Sequence, residues 1–132
     1  MLGIQVVVFL CYSIFVFTRF GTLPSYSHSF YLLRGWEQVF FLAFCWGLAI
    51  PFFIQGNLLA GFGFAVVGSV SRYDRPITEV VHYGGAGIGI IGALGIWTPL
   101  LVLALPLLML KNRILWVQIY VFFLYLCLTL IT

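Results

Sequence analysis

Apolar residues fill long unbroken runs, at about 2–18, 38–54, 57–70, 80–110 and 114–131, and polar residues are confined to the gaps between them. The runs are apolar on every side, the pattern of helices surrounded by lipid or by other apolar helices rather than of half-wetted elements. The run at 80–110 sets the span count. As a single α-helix it would be about 45 Å long, against a hydrocarbon core of about 30 Å. Cut at Trp97-Thr98-Pro99, it becomes two short spans, 80–96 and 98–110. The pattern therefore predicts an all-α fold, a polytopic transmembrane helical bundle forming a single domain over 1–132. Six short spans are expected at 2–18, 38–54, 57–70, 80–96, 98–110 and 114–131, with five as the alternative. The stretch 1–17 has no positive n-region and no small-residue cleavage site, and is read as the first span rather than a signal peptide. Pro51 and Pro106 fall inside spans and should kink them, while Trp36, Trp97 and Trp116 stand near span ends as an aromatic belt.

Composition agrees with the pattern. The chain is 64% hydrophobic and 7% charged, whereas soluble domains are about 45–50% apolar and about 25% charged. A soluble globule, a disordered tail and a nucleic-acid binder are excluded. Cys11, Cys45 and Cys127 lie inside apolar runs without metal-site or disulfide spacing, and read as small buried hydrophobes.

The charges then test the span count. With six spans, Arg19, Arg34, Glu37, Arg72, Asp74, Arg75, Glu79, Lys111 and Arg113 all fall on one side. With five, Lys111 and Arg113 move to the other. The positive-inside bias favours six spans, charged loops in the cytoplasm and both termini outside. The expected location is a membrane.

Two segments can carry chemistry. Leu23-Pro24-Ser25-Tyr26-Ser27-His28-Ser29-Phe30-Tyr31 crowds hydroxyls, a histidine and aromatics into one loop, which must lie at the interface or fold into the mouth of the bundle to satisfy its polar groups. A plainer role is helix initiation, with Pro24 fixing the first turn and Ser25 or Ser27 capping it. In the second segment, Tyr73 to Tyr83, Pro76 suits a first helical turn and Glu79 favours its positive end. His82 shares a helix face with Glu79, Gly85, Gly89 and Gly92, so it should face a closely packed helix. An ionisable group there is either a functional site or a bond that knits two helices together. The run Gly84-Gly85-Ala86-Gly87-Ile88-Gly89 lacks the lysine and strand of a phosphate loop and reads as tight helix packing, open to homo-oligomer formation.

Because both segments lie on the same predicted side, Ser25, Ser27, His28, Tyr31, Arg34, Arg72, Asp74, Arg75, Glu79 and His82 are the candidate ligand-binding residues. A lipid headgroup is the expected partner, its phosphate meeting arginines while its chains stay in the bilayer. A membrane partner protein is the other binding option. The enzymatic alternative is a lipid amide or ester hydrolase, with Ser27, His28, Asp74 and His82 as candidate catalytic residues and Ser27–His82 as a nucleophile pair. A zinc version would need His28, His82 and Asp74 or Glu79; the reading favoured here has no cofactor and no metal. A transporter or channel subunit is a further alternative, although Gln5, Ser13, Asn57, Ser69, Gln118 and Thr129 form no repeated interior pattern.

Leu23-Pro24-Ser25-Tyr26-Ser27-His28 resembles the Leu-Pro-x-Ile-Ser-Asp signature after the first span of the six-span Frag/Sfk/DRAM-type, autophagy-modulator-like membrane proteins. Val81-His82-Tyr83-Gly84-Gly85-Ala86 resembles the histidine-bearing start of a later span in that family. Small bacterial membrane proteins with a Ser-x-Ser loop and a Val-His-Tyr helix are similar too, and that similarity implies the bacterial inner membrane as the location. The resemblance singles out Pro24, Ser27 and His82, and implies a six-helix bundle with a lipid-related or membrane-organising role. It departs at His28, where the family has an acid, and at Tyr26, where it has an aliphatic residue.

Overall fold

The computed structural model describes residues 1–131, which are mostly helical with no strand among them. In chain order they form α1 (Leu2–Phe20), the one-turn α2 (Ser29–Leu32), α3 (Gln38–Ile54), α4 (Leu58–Ser69) and α5 (Pro76–Leu94). A 3-10 helix, Gly95–Met109, and α6 (Arg113–Ile131) follow. Among the described residues, four stretches are long and apolar enough to cross a membrane: Leu2–Phe20, Gly35–Ile54, Pro76–Met109 and Arg113–Ile131. Leu58–Ser69 is apolar but shorter.

Hydrogen bonds between distant parts of the chain define the two ends of the bundle. At one end the backbone N–H of Leu115 donates to Pro24 O at 3.1 Å, and that of Tyr26 donates to Gln118 Oε1 at 2.9 Å. At the other, Gln5 donates from Nε2 to Leu48 O at 3.3 Å and accepts from the Tyr125 hydroxyl at 2.8 Å. Asn57 Nδ2 donates to Gly92 O at 2.9 Å near that second end. Helix α5 therefore begins at the first end and finishes at the second, and Gly95–Met109 brings the chain back. The reversal uses Gly95, whose φ of +54° is a left-handed conformation that side-chain-bearing residues avoid. All six basic and three acidic residues lie in segments belonging to the first end.

The return segment departs from the ordinary α-helix expected of a span at 98–110. Pro99 and Pro106 each remove an N–H donor and would crowd the carbonyl four residues back, which disfavours a long α-helix here. A 3-10 helix rises about 2.0 Å per residue rather than about 1.5 Å. Its 15 residues thus reach about 30 Å, where an α-helix of that length would reach about 22 Å.

The closest pairing is between α4 and α5, where backbone meets backbone. A Cβ built on Gly63 would lie 2.2 Å from Gly89 N, and one on Gly92 would lie 2.4 Å from Ala60 N. Gly84 and Gly87 have nothing within 4 Å of theirs. The glycine-rich run is thus two rows, one packed and one facing outward.

Asn57 closes this pairing at the α3–α4 turn. It caps α4 by accepting from the Ala60 N–H at 3.1 Å, while its amide nitrogen holds Gly92 O. Losing the cap alone costs about 1 kcal/mol. Asn57→Ala should therefore lower stability by about 1–2 kcal/mol once the α5 bond is included, read as a thermal shift of the detergent-purified protein. Asn57→Ser, which can keep the cap but loses the donor to Gly92, should fall between the parent and Asn57→Ala.

Candidate functional site

The polar loop after α1 folds into the first end of the bundle, and its three serines go to three different partners. Ser25 Oγ accepts from the His28 N–H at 3.2 Å and closes the turn. Ser29 Oγ donates to Tyr26 O at 2.6 Å and receives the Tyr12 hydroxyl, also at 2.6 Å. Ser27 Oγ lies 2.8 Å from His82 Nε2, joining the loop to α5. Tyr26 points inward, and its hydroxyl donates at 2.7 Å to Ser13, whose own proton goes to Phe9 O. These contacts tie the loop to α1, α5 and α6 and leave Leu23, Ser25, Tyr26, Ser27 and Ser29 buried.

His82 is 1% exposed, and both of its ring nitrogens are engaged. Nδ1 lies 2.7 Å from Val70 O at the end of α4. A carbonyl only accepts, so Nδ1 carries the proton. In the neutral ring Nε2 is then the acceptor, and Ser27 Oγ–H donates to it. The ring stacks on Tyr73, with centroids 4.5 Å apart. The Tyr73 N–H in turn donates to the Tyr31 hydroxyl at 2.7 Å. Burial, reinforced by the neighbouring Tyr83, pushes the Tyr73 phenol up to about 12, so it stays neutral near pH 7.

Ser27 has a second environment. It lines an apolar cavity of about 110 Å³ in the middle of the bundle, walled chiefly by Phe9, Phe44, Leu48, Phe52, Ala86 and Phe122. Tyr26 and Ser27 stand at the first end of this cavity, Gln5 and Tyr125 at the second. Its volume approaches that of the ~150 Å³ apolar cavity known to stay dry and admit benzene. A ring or a short alkyl segment is the guest it suits.

The structure therefore brings together part of the expected set. Ser27 and His82 are buried and in contact with each other, Ser25 is buried in the same loop, and Tyr31 is linked to His82 through Tyr73. His28 is half-buried and lies against Tyr31, their ring centroids 6.2 Å apart. Arg34, Arg72, Asp74, Arg75 and Glu79 are exposed and form a charged rim. The one ion pair among the described residues is Arg19–Glu37, at 2.6 Å. Among the described residues no three His, Cys, Asp or Glu side chains gather as a metal site, so His28, Asp74 and Glu79 do not join His82 in a ligand set. Three participants lie outside the candidate set: the Val70 carbonyl, the ring of Tyr73, which in the sequence only opens the second polar segment, and Gln118, one of the scattered interior polar residues, which fixes the loop through Tyr26. Comparison with protein-family models, curated proteins and solved structures finds no match for the chain.

Proposed function

We propose that this protein is an integral membrane protein that crosses the bilayer six times and binds a membrane lipid at its charged end. The observation carrying the lipid reading is the double environment of Ser27, which belongs both to the buried polar cluster and to the wall of the apolar cavity. A phospholipid has the same order of chemistry along its length. Its phosphate suits the rim of Arg34, Arg72 and Arg75, its polar linkage suits the serine and histidine, and an alkyl segment suits the cavity.

The length arithmetic supports six passes. Pro76–Met109 has 34 residues, far more than one crossing needs. Doubled back at Gly95, it gives a 19-residue α-helix of about 28 Å and a 3-10 helix of about 30 Å. The 12-residue α4 is the short pass, at about 18 Å; local thinning of the bilayer would meet the mismatch. The clustering of positive charge at one end orients that end to the cytoplasm, and the resemblance to small bacterial membrane proteins favours the inner membrane.

Filling the cavity tests the lipid reading. Ala86 lines it one turn beyond His82, and Ala86→Phe should cut the phospholipid retained through detergent purification several-fold, measured by native mass spectrometry. Thermal stability should fall by no more than about 1–3 kcal/mol, the usual cost of overpacking. The double substitution Arg72→Gln, Arg75→Gln should reduce retention of anionic phospholipids more than of zwitterionic ones. Retention unchanged in both variants would rule this reading out.

A further inference from the structure

We infer that Ser27 is a nucleophile and His82 its general base, and that the pair cleaves the carboxylic ester of an acyl glycerolipid. This rests on the lipid-binding reading above and deepens it. Three observations meet at the same atoms. The hydroxyl and the unprotonated ring nitrogen are 2.8 Å apart, within the reach a nucleophile–base pair requires. The other ring nitrogen is held at 2.7 Å by Val70 O, which fixes the tautomer and the plane of the ring as the third member of a hydrolytic triad does. The stacked Tyr73 ring adds a second constraint on that plane.

The serine also lines the apolar cavity, so an alkyl chain seated there would bring its carbonyl carbon towards the hydroxyl. The class of substrate follows from depth. In a glycerolipid the ester groups lie between the charged headgroup and the hydrocarbon. In this protein the pair lies between a charged rim and an apolar cavity, in the same order.

In the first step Ser27 Oγ forms a bond to the ester carbonyl carbon while His82 Nε2 takes the serine proton. The carbon–oxygen bond to the glycerol then breaks, and the imidazolium returns that proton to the departing alkoxide oxygen. The product is an acyl ester on Ser27. Water is the co-reactant of the second step: His82 takes its proton, hydroxide adds to the acyl carbon, and the bond to Ser27 Oγ breaks. The serine oxygen recovers its proton from His82 and a free fatty acid leaves. No electrons are exchanged.

The test uses the full chain in detergent micelles or nanodiscs and an alkyl fluorophosphonate, which phosphonylates activated serines. Intact mass and peptide mapping on the unsubstituted protein should find one adduct, on Ser27, so the outcome does not depend on a variant that folds. His82→Gln, which offers a smaller, non-basic partner, should slow labelling about 10²-fold or more, the usual share of a general base. Vesicles of phosphatidylglycerol and phosphatidylethanolamine should release fatty acid with the unsubstituted protein and not with Ser27→Ala. If the folded protein retains phospholipid yet takes no label, the nucleophile is refuted while the lipid site stands. Label on another serine, or labelling of Ser27 at an unchanged rate in His82→Gln, also overturns the pair. If lipid retention is unchanged in the cavity-filling and arginine variants, the resident-lipid reading falls; Ser27 labelling then still supports the nucleophile, and the glycerolipid as substrate stands or falls with fatty-acid release from the vesicles.

Discussion

Gly63→Ala is expected to abolish or severely destabilise the folded bundle, although it adds a single methyl group. The new Cβ would lie 2.2 Å from Gly89 N and 2.4 Å from its Cα, with Gly85 O at 2.7 Å. All three are backbone atoms of α5, so no rotamer change relieves the contact and two helices must move apart. Overpacking a core with a flexible neighbour costs about 1–3 kcal/mol; with backbone on both sides the loss should be about 3 kcal/mol or more, in the range reserved for exceptional substitutions. Association of helices in lipid depends on such close van der Waals contact because the hydrophobic effect contributes little between them. The same substitution at Gly84 or Gly87 meets nothing within 4 Å. There alanine should be neutral or should stabilise by up to about 1 kcal/mol through helix propensity. Thermal unfolding of the four proteins in one detergent checks the contrast. A Gly63→Ala protein within about 1 kcal/mol of the parent would show that α4 and α5 are not in backbone contact.

The division of α5 into a packed and an open row of glycines is legible in the amino-acid order itself, since Gly85, Gly89 and Gly92 fall on the His82 face and Gly84 and Gly87 do not. Periodicity reads helix faces well because side-chain direction follows from position alone. The helices themselves are equally legible: apolar runs at 2–18, 38–54 and 57–70 sit within two residues of α1, α3 and α4. Periodicity fails at 98–110. A run that is too short for a crossing as an α-helix is a 3-10 helix, and hydropathy carries no information about rise per residue. The site is legible only in halves. The Ser-x-Ser loop and the buried histidine each stand out, but they are 55 positions apart, and pairing them needs the loop to fold back onto α5. The Val70 carbonyl is invisible because every residue but proline offers the same backbone groups. Asp74 and Glu79 group with the histidine in the sequence because of their charge. They sit at the start of α5 and before it, at the wet rim, where a carboxylate is hydrated at no desolvation cost.

His82→Ala should destabilise the protein by about 3–5 kcal/mol, comparable to truncating a buried aromatic. The ring is 1% exposed, so its removal leaves a void against Tyr73. It also strips the partner from Val70 O and from the Ser27 hydroxyl, and each buried polar group left unpaired costs about 1–3 kcal/mol. Ser27→Ala removes less. It leaves His82 held to Val70 and forfeits one bond, for an expected loss of about 1–2 kcal/mol. The double variant separates the bond from the void. Once His82 is gone, Ser27 has no ring to serve, so removing its hydroxyl should cost little or even restore some stability. The double variant should therefore match His82→Ala within about 0.5 kcal/mol, a coupling energy of about 1–2 kcal/mol between the two residues. His82→Asn divides the bridge in another way, because its amide nitrogen can reach the position of Nδ1 and still donate to Val70 O while nothing replaces Nε2. It should recover about half of the His82→Ala loss. Thermal or denaturant unfolding of these proteins beside the parent measures the cycle. Strict additivity would mean that the 2.8 Å contact contributes nothing to holding the loop on α5, and would remove the geometric basis for assigning the pair a chemical role.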